Sequence, residues 1–183
     1  MEDKQNNLNK VLYLSIGIIL LFLALLFSII AFIQKKDRVY FYDINKSSQK
    51  VIEKIILEIT PDIIVFTGHD QYYGENIKDL DNYENSKYFI KAIRVVRKHF
   101  LDVVIIAGAC SSHFEALIGS GANFASSPKR VNTHTYDPAI CAIKVATTPY
   151  DQRVDFRNIY KYIENGKDAI GGIETNGKMK LLM

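Results

Sequence analysis

Cysteine is scarce in this sequence, and its scarcity narrows the chemistry that the chain can perform. The two cysteines, Cys110 and Cys141, allow at most one intrachain disulfide. They reach neither the density of a small secreted disulfide scaffold nor the CxxC pairing of common metal and redox motifs. We therefore interpret both cysteines as reduced thiols.

A strong charge of one sign is missing as well. The formal net charge is +3, and no Lys/Arg-rich block or basic stripe interleaved with aromatic residues is visible along the chain. This composition does not suggest nucleic-acid binding. No GxGxxG or phosphate loop follows a predicted strand, so a small-molecule-binding α/β domain also has little support.

One long apolar run is present, near the amino terminus. No charged residue occurs from Val11 to Ile33, and a helix of that length, about 35 Å, is enough to span a bilayer core. A cleaved signal peptide is the alternative, but the run is too long for one and no small-x-small cleavage site follows it. Lys35, Lys36 and Arg38 follow the run and favour a cytoplasmic carboxyl side. The resulting domain prediction is a tail at residues 1–10, a single-pass transmembrane helix at 11–33 and a folded domain at 38–183.

Short apolar strands alternate with helices through the rest of the chain. This order predicts an α/β fold with a mostly parallel sheet. The uniformly apolar strands agree, because a parallel sheet is buried on both faces. The predicted strands are Val39–Ile44, Ile63–Phe66, Val103–Ile106 and Ala122–Ala125. The predicted helices run from Ser47 or Ser48 to Pro61 and over Tyr88–Phe100, Ser112–Leu117, Ile140–Val145 and Phe156–Ile163.

Two of these strands end in the same way, on residues that carry chemistry. Residues 62–70 read DIIVFTGHD, and residues 102–110 read DVVIIAGAC, so His69 and Cys110 follow matching apolar runs. Ligands of open parallel sheets bind outside the carboxyl ends of the strands. If the two strands are neighbours, both side chains emerge at one edge of the sheet.

The residues around Cys110 are typical of a reactive thiol. Ser112 and Glu115 have the spacing of a capping box, which predicts a helix start just after Cys110 and favours the thiolate. Gly68 and Gly108 keep Cβ atoms away, so the backbone N–H groups of Gly68 and Cys110 are candidate oxyanion-hole donors. His69 is then placed to protonate a leaving amine and to activate water.

Other interpretations of these residues remain open. A lone cysteine after a strand is often a small buried apolar residue. Cys110 and His113, with His69 and Asp70, have a possible zinc-ligand spacing, but His113 falls inside the predicted helix cap. No cofactor and no metal is therefore expected. Cys141 lies among apolar residues and is predicted to be core; His99 is expected to be solvated, and His134 lies in a polar loop that can line the site.

Several blocks of this sequence closely resemble the YabG sporulation peptidases. They read TGHD, NSKYF, AGAC followed by SHFEAL, GANFASSPKRVN and GGIET, between about Ile63 and Lys180. This family comprises cysteine proteases of spore-forming bacteria related to caspases and clostripain. The resemblance implies a three-layer caspase/clostripain-like sandwich, a His69–Cys110 dyad and cleavage of spore coat and cortex proteins. It also implies that the chain lacks the family's amino-terminal part, and Ser111 stands where the family is expected to carry Gln.

The clostripain-like relatives cleave after basic residues, which implies an acidic pocket for the substrate. A carboxylate holds a guanidinium best because its two oxygens match the guanidinium fork. The predicted substrate-binding residues are Asp70 and Asp137, with Glu75, Asp79, Asp81 and Glu84 as further acids in the loop after His69. The leading hypothesis is a membrane-anchored cysteine endopeptidase acting on protein substrates. The alternative is a non-catalytic, membrane-tethered α/β binding domain that keeps the peptidase fold.

Overall fold

The computed structural model describes residues 49–180. The predicted membrane segment at Val11–Ile33 and the predicted strand at Val39–Ile44 lie outside the described residues. Between residues 49 and 180, no helix combines the length and the apolar character needed to cross a membrane.

Helices and strands alternate through the described region, as the sequence predicts. In chain order they are α1 (Gln49–Ile59), β1 (Ile63–Phe66), α2 (Ser86–His99), β2 (Val104–Ala107), α3 (Phe114–Gly119), β3 (Phe124–Ser126), α4 (Asp137–Thr147), α5 (Phe156–Tyr160), α6 (Gly166–Ala169) and β4 (Ile170–Gly172). Helix α1 ends two residues before Pro61, which cannot continue a helix. A single 3₁₀ turn at Leu80–Asn82 interrupts the long loop between β1 and α2.

The strands form one mixed sheet in the order β1-β2-β3-β4. β1 pairs with β2 and β2 with β3 in parallel, which confirms the predicted mostly parallel sheet. β4 pairs with β3 in the antiparallel sense and is not predicted from the sequence. Its glycines hide the strand pattern, yet the packing requires them: a Cβ atom on Gly172 would collide with the Asn123 carbonyl oxygen.

Helices cover both faces of the sheet, and alternate residues of β2 belong to different cores. Ile105 and Ala107 belong to one buried cluster together with residues of α1, α2 and α3. Val104 and Ile106 belong to a second cluster together with residues of α4 and α5. Every residue of β2 is buried, which explains why its sequence shows no polar alternation.

Cys141 lies within the second of these clusters, on α4, and is fully buried. Burial raises the pKa of its thiol far above the ordinary range. The prediction that Cys141 is a core residue is confirmed.

Candidate active site

The register of the sheet brings the two predicted functional residues to equivalent positions. Phe66 of β1 pairs with Ala107 of β2 in a parallel ladder. His69 and Cys110 are each the third residue beyond this pair, so both follow the carboxyl ends of neighbouring strands. The two strands are neighbours, which is the condition under which the sequence predicts that both side chains emerge at one edge.

Asp70, directly after His69, is buried and joins the two loops of the site. Its residue is 1% exposed. The Oδ1 atom accepts the backbone N–H groups of Gln71 at 2.9 Å and Asn85 at 2.7 Å. The Oδ2 atom accepts the hydroxyls of Ser86 at 2.5 Å and Ser112 at 2.9 Å. One carboxylate therefore connects the loop after β1, the start of α2 and the loop after β2. We call Asp70, Asn85, Ser86 and Ser112 the Asp70 cluster.

The Asp70 cluster extends to the backbone on both sides of the catalytic candidates. The Ser112 hydroxyl accepts the Ala109 N–H at 2.9 Å, one residue before Cys110. The Asn85 side chain donates to the His69 carbonyl oxygen at 2.9 Å. Buried polar networks of this kind fix geometry when every member has a partner. The cluster thus holds the backbone at His69 and at Cys110 in one fixed relation.

The Asp70 cluster also explains why the predicted capping box is wrong. Helix α3 begins at Phe114 and its cap is His113, whose Nδ1 atom accepts the Ala116 N–H at 3.3 Å. Ser112 cannot cap the helix because its hydroxyl is already bonded to Asp70 and Ala109. The helix is also only six residues long, so a helix terminus is not what favours a Cys110 thiolate here.

The Cys110 thiol is half-buried and contacts a single residue of the loop after β3. Thr133 donates its backbone N–H to Sγ at 3.4 Å and its hydroxyl at 3.7 Å. In the protonated form, the thiol donates to the Thr133 carbonyl oxygen at 3.3 Å. Two donors directed at one sulfur stabilise its negative charge. Sequence reasoning missed Thr133, since its contact spans 23 residues and no local pattern marks it.

The backbone turns sharply immediately after Cys110. Ser111 has φ = 56°, a conformation that costs free energy for any residue other than glycine. It is held there because its N–H donates to the Ser127 hydroxyl at 3.1 Å and its hydroxyl donates to the Arg130 carbonyl at 3.1 Å. Gly108, two residues before Cys110, has φ = 112°. A Cβ atom added to Gly108 would lie 3.2 Å from the Cβ atom of Ser126. The nucleophile candidate therefore lies in a strained turn of fixed shape.

The two N–H groups predicted to form an oxyanion hole differ from their neighbours in hydrogen bonding. Among residues 49–180, the backbone N–H groups of Gly68 and Cys110 donate to no other residue. Those of Gly108, Ala109 and Ser111 are all bonded within the protein. Their role in binding an oxyanion stays a prediction.

His69 lies on the surface of the same edge. Its side chain is 73% exposed, and Nε2 lies 3.8 Å from Oε2 of Glu84. Within the described residues, no hydrogen bond joins its ring to the Cys110 thiol, whose partners all belong to Thr133. Catalytic hydrogen bonds are often long without substrate and tighten when it binds. The dyad therefore stays a prediction. Among the described residues, the carboxylate nearest the His69 ring is that of Glu84, which the sequence predicts only as a further pocket acid.

Neither of the two acids predicted to bind substrate is open to solvent. Asp70 uses both oxygens in its cluster, and Asp137 is 3% exposed and accepts the His134 N–H at 2.8 Å. Burial raises the pKa of the Asp137 carboxyl. Substrate binding by these two residues stays a prediction that their buried positions do not favour. In the structure both carboxylates accept backbone N–H groups, and that of Asp70 also accepts the hydroxyls of Ser86 and Ser112.

His113 has partners that compete with a metal ion. Its Nδ1 atom accepts the Ala116 N–H, so Nε2 carries the proton and donates to the Lys78 carbonyl at 3.2 Å. Its ring packs on Tyr83 with the centroids 4.7 Å apart. In the part of the chain that the structure describes, no three His, Cys, Asp or Glu side chains are grouped to hold a metal ion.

Arg130 holds the loop that carries Thr133 in place through hydrogen bonds and an ion pair. This residue was not identified from the sequence. Its side chain is 10% exposed, and its guanidinium meets both oxygens of Glu115, at 2.5 and 3.2 Å. Its Nε atom donates to the Tyr83 hydroxyl at 2.9 Å. Arg130 therefore links α3, the loop after β1 and the loop after β3, which carries Thr133.

Comparisons with known proteins point to one family. The sequence model of the family described as YabG peptidase U57 matches residues 32–183. The sporulation-specific protease YabG of Bacillus subtilis (strain 168) is 40% identical over 159 residues, covering 82% of this chain and 55% of that protein. The chain thus spans about half the length of that curated relative. No solved structure matches.

Proposed function

The chain belongs to the YabG peptidase family, and from this membership we propose that it is a cysteine endopeptidase that acts in sporulation. Cys110 is the nucleophile and His69 the general acid and base. The observation that carries this assignment is the matched position of the two residues, three beyond the paired Phe66 and Ala107 at the ends of neighbouring parallel strands. Two strand ends that meet at one edge are where such a pair operates.

The reaction follows from the groups at this edge. The Cys110 thiolate attacks the carbonyl carbon of the scissile peptide bond and forms a C–S bond. The N–H groups of Gly68 and Cys110 receive the developing oxyanion. Protonated His69 gives its proton to the departing amine as the C–N bond breaks, which leaves a thioester. Neutral His69 then takes a proton from water, and the hydroxide attacks the thioester carbon. The C–S bond breaks, which releases the carboxylic acid product and restores the Cys110 thiolate and protonated His69.

The Asp70 cluster and Thr133 support this reaction without touching the substrate. The cluster fixes the backbone on both sides, and the Thr133 donors stabilise the thiolate. Misplacement of a catalytic group by about 1 Å can cost about a hundredfold in rate. A buried carboxylate with four hydrogen bonds is suited to preventing such movement.

The membrane location and the substrates belong to the same proposal. The uncharged run from Val11 to Ile33 anchors the chain, with the domain on the cytoplasmic side, where a thiol stays reduced. Spore coat and cortex proteins are the substrate class that the family resemblance implies. Alkaline carbonate extraction of membranes tests the anchor: the chain should stay in the membrane pellet, and release into the supernatant contradicts it.

Labelling with a thiol-directed covalent peptide inhibitor tests the catalytic assignment. The wild type should be labelled once, at Cys110, and should lose proteolysis of a denatured protein substrate in proportion to labelling. Cys110→Ala should be neither labelled nor active, while Cys141→Ala should behave as the wild type. Proteolysis that survives in Cys110→Ala excludes Cys110 as the nucleophile.

A non-catalytic, membrane-tethered binding domain is the second candidate function. It is favoured by one observation: Sγ of Cys110 contacts Thr133, and His69 lies nearest Glu84 instead of the thiol. In that case the folded wild type cleaves no protein and the inhibitor labels neither cysteine. The same experiment therefore separates the two functions.

A further inference from the structure

Helix α2 presents a basic face to solvent. Lys87, Lys91, Arg94 and Lys98 are all exposed and recur every three or four residues, so they lie along one side of the helix. The opposite side is buried in the core. Helix α2 contains no acidic residue, and the four charges extend over roughly 16 Å at 1.5 Å per residue.

The charges of this face are largely available for a partner. Among the described residues, Lys87, Lys91 and Arg94 form no ion pair, while Lys98 pairs with Glu53 at 3.3 Å. Arg97, on a different side of the helix, is used internally and donates to the carbonyls of Gly121 and Val103. The basic face is therefore not explained by internal ion pairing.

An exposed aromatic residue lies among these cations. Tyr88 is 38% exposed, and the ammonium groups of Lys87 and Lys91 lie 5.6 and 5.8 Å from its ring centroid. Tyrosine has an apolar body and a polar tip, which suits the level of lipid headgroups. Lysines that flank such a ring add electrostatic attraction to an anionic surface.

We propose that the basic face of α2 docks on anionic lipid headgroups and lays the domain on the membrane surface. This rests on the anchoring in the proposed function. The uncharged run ends at Ile33 and α1 begins at Gln49. Even when fully extended, the chain between them spans only about 50 Å. α1 and α2 share one buried cluster, so the tether leads to the helix beside the basic face. Tethering raises the effective concentration of the face at the membrane, so weak contacts suffice.

Docking on this face leaves the candidate active site open. Helix α2 begins at Ser86, a member of the Asp70 cluster, and therefore starts at the edge of the sheet that holds His69 and Cys110. A helix that lies flat on the bilayer points this edge along the surface and not into it. Proteins gathered at the same membrane would then meet the dyad directly.

Lysine footprinting of the full-length chain tests the docking. The Cys110→Ala protein, which avoids self-cleavage, is reconstituted in vesicles of phosphatidylcholine alone or with phosphatidylglycerol. A membrane-impermeant acetylating ester modifies exposed lysines, and mass spectrometry gives the rate at each one. We expect Lys87 and Lys91 to react roughly fivefold more slowly with phosphatidylglycerol, given the contribution of each lysine near an anionic surface. Lys161 and Lys167, exposed on other elements, should be unchanged.

Three outcomes overturn the proposal. Equal rates at Lys87 and Lys91 in both kinds of vesicle exclude docking on anionic lipid. Protection that appears in phosphatidylcholine alone and survives high salt indicates a protein contact, because electrostatic docking is screened by salt. A single-stranded oligonucleotide that protects the two lysines as strongly as phosphatidylglycerol, with no anionic lipid present, assigns the face to nucleic acid instead.

A charge-neutralised variant gives the matched control. K87Q/K91Q/R94Q should lose the lipid-dependent protection of Lys98, whereas K129Q/K161Q/K167Q should keep it. Circular dichroism confirms that both variants are folded. Retention of Lys98 protection in the first variant contradicts the proposal. Inhibitor labelling of Cys110 and carbonate extraction are measured separately, so loss of catalysis or of the anchor is distinguishable from loss of docking.

Discussion

Cys110 lies in a polar turn at the carboxyl edge of the sheet, whereas Cys141 lies in helix α4 against the apolar core. The thiol of Cys110 receives two hydrogen bonds from Thr133, and burial without such donors raises the pKa of Cys141. The thiolate is the reactive form of cysteine. The comparison teaches that hydrogen-bond donors and burial, and not residue type alone, decide whether a thiol lies in a polar turn open to reaction or in the apolar core.

Serine substitution of each cysteine should separate the two regions most strongly. Cys110→Ser should lower kcat/KM by at least ~10³-fold, since a hydroxyl is a poor nucleophile in a site built for a thiolate. Cys141→Ser should keep the wild-type kcat/KM and lose about 1–3 kcal/mol of stability, because a buried hydroxyl lacks a partner there. Steady-state proteolysis and denaturant unfolding measure the two effects. If Cys141→Ser is folded but inactive, the claim that Cys141 has no part in catalysis is wrong.

Removal of the Asp70 carboxylate should impair the Cys110 region alone. In Asp70→Asn, an amide N–H₂ faces groups that donate hydrogen bonds to the carboxylate in the wild type, so part of the cluster is lost. We therefore expect kcat to fall about 10- to 100-fold with little change in KM. Ser112→Ala should act through the same cluster, so the double variant should cost less than the product of the two single effects. The exposed Asp151→Asn is the control. Multiplicative losses would mean that the two residues act independently and not as one cluster.

The pKa of Cys141 predicts a loss of stability in alkali. Burial raises its folded pKa above the unfolded value, so its contribution is complete below the unfolded pKa, about 8.5, and declines as pH rises toward the folded value. By pH 10 the loss should reach about 2 kcal/mol relative to pH 7. Urea unfolding of the wild type and of Cys141→Ala at both pH values gives the part of this loss that Cys141 contributes. An identical decline in Cys141→Ala assigns the effect to other groups.

Removal of the Thr133 hydroxyl should have the smallest effect. Thr133→Val keeps the backbone N–H at Sγ but removes Oγ1, so alkylation of Cys110 at pH 7 should slow about two- to fivefold. Thr133→Ser retains the donor and should react like the wild type. A free model thiol in the same mixture serves as the reference for both variants. If Cys110 is alkylated at the wild-type rate in Thr133→Val, the Thr133 hydroxyl does not stabilise the thiolate, and only the backbone N–H can do so.

Local sequence pattern predicted the elements that are uniform and bounded by turn residues. β1 occupies the four residues expected, Ile63–Phe66, because an apolar run there ends at Pro61 on one side and at Thr67–Gly68 on the other. The family resemblance also held: the chain belongs to the YabG peptidases. The parallel pairing of β1 and β2 agrees with the mostly parallel sheet predicted from the order of strands and helices.

Features decided by distant partners escaped prediction. Ser112 has the spacing of a helix cap, but Asp70, 42 residues earlier, holds its hydroxyl. Thr133 and Arg130 act through contacts with residues far along the chain. β4 carries two glycines, which remove the apolar signal that identifies a strand. Only the folded chain places these groups together.

The rates of alkylation at the two cysteines test the central claim most directly. A folded wild-type protein is treated with iodoacetamide at pH 7, and mass spectrometry follows each cysteine while proteolysis is measured in the same samples. The account predicts that Cys110 reacts at least tenfold faster than Cys141, on the order expected for a thiolate against a buried thiol, and that activity falls in step with its modification. Reaction of Cys141 first, equal rates at both, or full activity after complete modification of Cys110 would contradict it.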